Sequence, residues 1–90
     1  MNSLLVKNEA GAIDHFVREK LLLSIYDSLK HRKNSISDSI AITDTIVAKL
    51  ISKPSTPLIE RNVLINISHE VLANFDKPAA VHYLAYNPIK

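Results

Sequence analysis

The stretch "LLVKNEAGAIDHFVREKLLLSI", residues 4–25, decides how this chain folds, because strand-like and helix-like segments meet there around the only glycine. Leu4–Lys7 reads as a short strand, Asn8-Glu9-Ala10-Gly11 as a turn, and Ala12–Phe16 as a return strand. Gly11 supplies the positive φ that such a turn demands. From there Val17, Leu21, Ile25 and Leu29 recur at four-residue steps, widened by Leu22 and Tyr26, which predicts an amphipathic helix. A two-stranded hairpin is marginal in water, so this one must lie on something apolar.

The remaining chain supplies that surface. Lys30-His31-Arg32-Lys33 suits the negative end of the first helix, and Asn34 terminates it. Ser35 or Ser37 caps a second helix with Asp38 in its first turn, and Ile36, Ile40, Thr43, Val47, Leu50 and Ile51 mark its apolar face. Lys53-Pro54-Ser55-Thr56-Pro57 is a loop. Ile59, Val63, Ile67 and Val71, flanked by Leu64 and Leu72, mark a third helix. Asp76-Lys77-Pro78 stops it and caps a fourth, which ends before Asn87-Pro88. The expected architecture is a mainly α (α+β) single domain over residues 1–90, an N-terminal β-hairpin lid over a small bundle of about four helices. The hairpin spans 4–16 and the helices about 17–32, 37–52, 58–74 and 78–86.

Composition narrows the function. The chain is 47% hydrophobic but only 6% aromatic, with no Trp, so its core is aliphatic and suits packed helices. Its apolar runs fall far short of the ~20 residues that span a bilayer, and no secretory pattern opens the chain. The absence of cysteine removes disulfides, thiolate metal sites and cysteine nucleophiles, and points to a reducing cytoplasm. A net charge of +2 is too mild for a nucleic-acid surface. One glycine excludes a Walker loop and a Rossmann fingerprint.

No catalytic or metal constellation stands out. His15, His31, His69 and His82 lack the spacing of a helical metal motif. Ser24, Ser28, Ser37 and Ser39 have no nucleophile context, and Glu9, Asp14, Glu19 and Glu60 show no pairing for acid–base work. An enzyme is therefore not expected. Direct DNA binding is not expected either, since Arg61 is the sole basic residue of the third helix. Lys20 has two readings. It is solvated or paired with Asp14 or Glu19, or it faces a phosphate held between hairpin and helix. In the second case the hairpin edge contacts a purine, Val6 packs on its ring, and Lys7, Arg18 or Lys20 balances the charge.

The spacing Val6, Gly11, Phe16, Lys20-Leu21, Ser24-Ile25 resembles the opening of the ATP-cone domain, V-x-K-R-x-G, four residues, F, three residues, K-[IL], two residues, S-[IL]. Phe75-Asp76, two residues, Ala79, Val81, His82-Tyr83 is similar to that family's closing L-D-x-x-A-x-V-R-[YF]. The resemblance covers nearly the whole chain, with the middle helices alike in pattern only. It implies a regulatory domain that binds ATP or dATP, with any Mg2+ carried by the nucleotide, beneath an N-terminal hairpin. Such domains stand at the N-termini of ribonucleotide reductases and in the repressor of reductase genes, where bound nucleotide changes oligomeric state. The implied partners are the nucleotide and either further copies of the chain or a larger regulated protein.

Carried over residue by residue, the resemblance implies that Val6 lies near the base, Asp14 near the ribose and Lys20 on a phosphate. The departures are specific. Asn8-Glu9 stands where the family has Lys-Arg, although Lys7 recovers one charge if the turn holds an extra residue. Val17 replaces a polar residue and His82 the closing arginine, while Arg61 stands where a Ser or Thr faces the nucleotide and restores some charge. Each lost charge-assisted contact removes about 1.5–3 kcal/mol. The alternative is thus a cone that no longer binds nucleotide and serves as a protein-interaction module.

Overall fold

In the computed structural model, which describes residues 4–52 and 58–88, strands β1 (Leu5–Lys7) and β2 (Ile13–His15) form the expected hairpin. Helices α1 (Arg18–Leu29) and α2 (Ser35–Ile51) follow, then strand β3 (Leu58–Glu60) and helices α3 (Arg61–Phe75) and α4 (Lys77–Tyr86). The helices form a ring in which α1 touches α2 and α4, and α3 touches the same two. Helices α1 and α2 run antiparallel, as do α3 and α4: Arg18 at the start of α1 pairs with Asp44 in the second half of α2, and Arg61 opening α3 reaches the Pro88 carbonyl beyond α4. No helix among the described residues is long and apolar enough to cross a membrane.

The core is aliphatic, as the composition requires. Leu21, Ile25 and Leu29 of α1 meet Ile42, Ile46 and Leu50 of α2, Val71 and Leu72 of α3, and Ala79, Ala80 and Tyr83 of α4. Four hydroxyl residues, Ser28, Ser39, Thr43 and Ser68, are buried among them. Ser28, Ser39 and Ser68 each donate to the carbonyl one turn back, at Ser24, Ser35 and Leu64. That local bond removes the penalty of burying an unpaired hydroxyl, so a serine can occupy a core position.

Three expectations are corrected. First, Leu58–Glu60 is not the first turn of the third helix but a strand parallel to β1, in the register Leu5↔Leu58, Val6↔Ile59, Lys7↔Glu60. The free edge of β1 offers these residues a ladder, and β-branched Ile59 fits a pleated surface. Second, the buried face of α2 is Ser39, Ile42, Thr43, Ile46 and Leu50. Ile36 and Ile51, expected in the core, are 66% and 65% exposed, and Ile40 is also exposed. Apolar residues surround most of α2, so periodicity left its phase open and the neighbouring helices chose it. The same shift in α3 buries Ile65, Ser68, Val71 and Leu72 and leaves Val63 exposed. Third, Asn34 occupies the N-cap of α2, with Ser35 its first helical residue and no side-chain cap. The Lys53–Pro57 loop lies outside the described residues.

The end of the bundle away from the sheet is tied by charge. Helix α1 ends at Leu29, so Lys30–Lys33 forms the turn to α2 rather than a last helical turn. From that turn Arg32 donates through Nε to Asp38 at 3.0 Å and through Nη1 to Asp76 at 2.9 Å. Its guanidinium also lies 4.6 Å from the centroid of the Phe75 ring. Asp76 caps α4 as expected, its Oδ1 accepting the Ala79 N–H at 3.1 Å. The Ala79 amide, with Arg32 and His31, holds the Asp76 carboxyl below the usual carboxylate range, against the opposing effect of burial.

Two measurements check this account. Ile46→Ala should lower stability in urea unfolding by about 2–5 kcal/mol, whereas Ile36→Ala should stay within ~0.5 kcal/mol. Because the Asp76 pKa is depressed by folding, its contribution is full above the unfolded value and is lost as pH falls through the folded one. Thermal melts should therefore drop as pH falls below about 4, and Asp76→Asn, which keeps an oxygen for Ala79, should show a shallower drop.

Candidate functional site

The register of the sheet fixes which side chains share a face. Strand order is β2-β1-β3, with Leu5↔His15, Val6↔Asp14 and Lys7↔Ile13 across the hairpin. Cross-strand partners lie on one side of a sheet, as do residues two apart. Leu4, Phe16 and Ile59 pack against the core, so the face that carries them, with Val6 and Asp14, is the inner one. Lys7, Ile13, His15 and Glu60 occupy the outer face.

Exposure rises steadily across the inner row. Ile59 is buried, Val6 half-buried and Asp14 exposed. Every residue of β2 is exposed, although one face of that strand is turned toward the bundle. The hairpin is thus seated on the helices along β3 and at the Leu4–Phe16 base, and stands clear of them along β2. Phe16 holds that base by donating its N–H to Leu4 at 2.8 Å.

Two helix starts adjoin the sheet in the chain. Strand β2 leads into α1 and β3 into α3, and the N-caps Val17 and Glu60 provide no side-chain hydrogen bond. Neither N-cap side chain therefore offsets the positive pole of its helix at the sheet end. Lys20 is exposed in the first turn of α1, and its side chain forms no hydrogen bond or ion pair among the described residues. The expected pairing with Asp14 or Glu19 is absent among these residues. Val17 and Ser24 lie on the same side of α1 as Lys20, one turn to either side. Arg61 opens α3 half-buried, its Nη1 donating to the Pro88 carbonyl at 3.3 Å. Tyr83 is buried nearby; burial raises its phenol pKa, a shift opposed by a hydrogen bond with Ser68 and by the Arg61 charge.

The fold therefore brings Val6 and Asp14 together as neighbours on one face and places Lys20, Val17 and Arg61 at the starts of the helices that follow β2 and β3. It separates Lys7 from them. The hairpin register is unbroken from Leu5↔His15 to Lys7↔Ile13, so no extra residue turns Lys7 inward. Asn8 is occupied by the turn itself: its Oδ1 accepts the N–H groups of Ala10 at 2.9 Å and Ala12 at 3.0 Å. Glu9 is exposed beside it. Ile59 was missed as a member of this face; its signal was the short alternating run Leu58-Ile59-Glu60, absorbed into a longer helical pattern.

His82 belongs elsewhere. With Asp27, Ser28, Lys30, His31 and Pro78 it lines a shallow cleft of about 330 Å³ between the last turn of α1 and the start of α4. That cleft is about 18 Å along α1 from the sheet, given the helical rise. The His82 ring lies tilted against Tyr86 with centroids 4.7 Å apart, and its Nε2 is 3.9 Å from Asp27. No group of three or more His, Cys, Asp or Glu among the described residues is arranged to hold a metal. No protein-family model matches the chain, and no curated protein matches it significantly.

Gly11 sits at φ +89° with open space where a Cβ would stand. Gly11→Ala should therefore act through backbone strain alone, weakening the hairpin by about 1–2 kcal/mol. Faster hydrogen exchange at the Asn8 amide, which donates to Ala12, would register it.

Proposed function

We propose that this chain is a regulatory domain of the ATP-cone type, which binds an adenine nucleotide between hairpin and bundle and thereby controls association, its own or a larger partner's. The observation that carries the reading is the open inner face of β2, where Asp14 stands exposed above two uncapped helix starts and an unpaired Lys20. An anion is favoured there by the helix N-termini, and an apolar ring by Val6. In this reading Val6 packs on the base, Asp14 meets the ribose, and Lys20 and Arg61 balance phosphate, with Mg2+ arriving on the nucleotide. An N-terminal hairpin over a small helical bundle is also the arrangement that the resemblance implies. The domain regulates rather than catalyses, and its setting is the cytoplasm.

A second reading is favoured by one set of residues. Asn8 is spent on its own turn, Glu9 adds negative charge, and Lys7 faces outward. A domain so equipped keeps the fold and works as an interaction module without nucleotide.

Titration calorimetry decides between them. Saturable heat with ATP, dATP or another adenine nucleotide, with a change of mass by light scattering, supports the first. No heat at millimolar ligand and an unchanged oligomer supports the second. Lys20→Ala should weaken binding about tenfold or more, since a charge-assisted contact is worth about 1.5–3 kcal/mol; an unchanged affinity would remove Lys20 from the site.

A further inference from the structure

We infer that two copies of this chain pair through the outward face of α2, antiparallel, about a two-fold axis; this rests on the reading above only in that the domain associates. A helix with apolar residues on nearly all sides is normally buried on nearly all sides. One side of α2 faces the core, while on the other Ile36, Ile40 and Ile51 are exposed and Val47 is half-buried. At 3.6 residues per turn these four fall within about 60° of one another, in a stripe about 22 Å long.

Their spacing points to a second copy rather than to another partner. Ile36 and Ile51 lie equally far from the midpoint between Thr43 and Asp44, and so do Ile40 and Val47. Turned end for end, the stripe matches itself: Ile36 meets Ile51 of the second copy, and Ile40 meets Val47. A two-fold interface needs that self-complementarity, because one patch serves on both sides. Ser37, Ala41 and Ala48 border the stripe, exposed and small, and let two helix axes approach.

Charge agrees. Asp38 and Lys49 fall on the opposite side of α2 from the stripe, so neither lies in the contact. Asp44, the one charged residue of α2 that borders it, is already paired with Arg18. A parallel pairing would set Asp44 beside its own copy, whereas the antiparallel one sets it opposite Thr43. One helix face falls short of the ~800 Å² per partner of a standard interface, so the dimer is weak, with a dissociation constant above about 1 μM. It is not populated in dilute unfolding measurements.

Sedimentation velocity without nucleotide, from about 10 μM to about 1 mM, tests the pairing. The unaltered chain should pass from monomer toward dimer over that range. Ile36→Lys and Ile51→Glu should each weaken the dimer about tenfold or more, since each sets a lone charge against an isoleucine. The double variant Ile36→Lys/Ile51→Glu sets lysine against glutamate at both ends of the stripe. It should associate about threefold or more tighter than either single variant. Val81→Glu, at an exposed position on α4, should leave the dimer unchanged. Both α2 positions are exposed, and circular dichroism checks that each variant is folded. A chain that stays monomeric at the highest concentration overturns the proposal. So does a dimer that tolerates both single variants, or one that the double variant does not recover. With no nucleotide present, none of these results bears on the nucleotide reading.

Discussion

The carboxylate of Asp76 is where the two helical hairpins are tied together. One oxygen caps α4 through the Ala79 amide, and the other accepts from Arg32 in the α1–α2 turn. A single extended residue between α3 and α4 can reverse the chain because the first turn of α4 is satisfied at once by that residue's own side chain. Pro78 assists, since it needs no partner for an N–H in a first turn. With α4 folded back on α3, Tyr83 and Ala80 close the core and the ring of four helices is complete.

The two ends of the bundle consequently differ. At the Asp76 end, turns and helix termini are joined by Arg32, Asp38, His31 and the Phe75 ring. At the sheet end, α1 and α3 begin uncapped, and the strands that lead into them hold the roof on one side only. A small domain can leave one end open in this way when the other end and the core carry its stability. The open end also carries Lys20 and helix starts without a side-chain cap, whereas Asp76 already caps α4 at the other end, which is why the proposed anion site falls there rather than in the cleft beside His82.

Much of this was legible beforehand where local chemistry is decisive. Gly11 named the turn because only a glycine takes φ +89° without strain. Asp76-Lys77-Pro78 named the last helix start, and the four-residue steps from Leu21 to Leu29 named the buried stripe of α1. Among the residues proposed for the site, the positions of Lys20 and Asp14 on the fold were readable because each stands at a definite place relative to Gly11. Lys7 was not, because a one-residue slip in register would have turned it inward. The buried face of α2 was illegible for a related reason: with isoleucines on nearly all sides, no single stripe dominates its pattern.

What the sequence by itself determined is the hairpin before four helices, the aliphatic character of the core and the Asp76 cap of the last helix. All follow from interactions within a few residues of one another. Only the tertiary structure decided that Leu58–Glu60 becomes a third strand, that Ser39, Ile42 and Ile46 rather than Ile36 and Ile51 go inside, and that Lys7 faces out. Each of those choices depends on which surface a distant segment presents: the free edge of β1, the grooves of α1 and α3, and the register across the turn. A residue's own preference cannot settle a choice that its neighbours in space make for it.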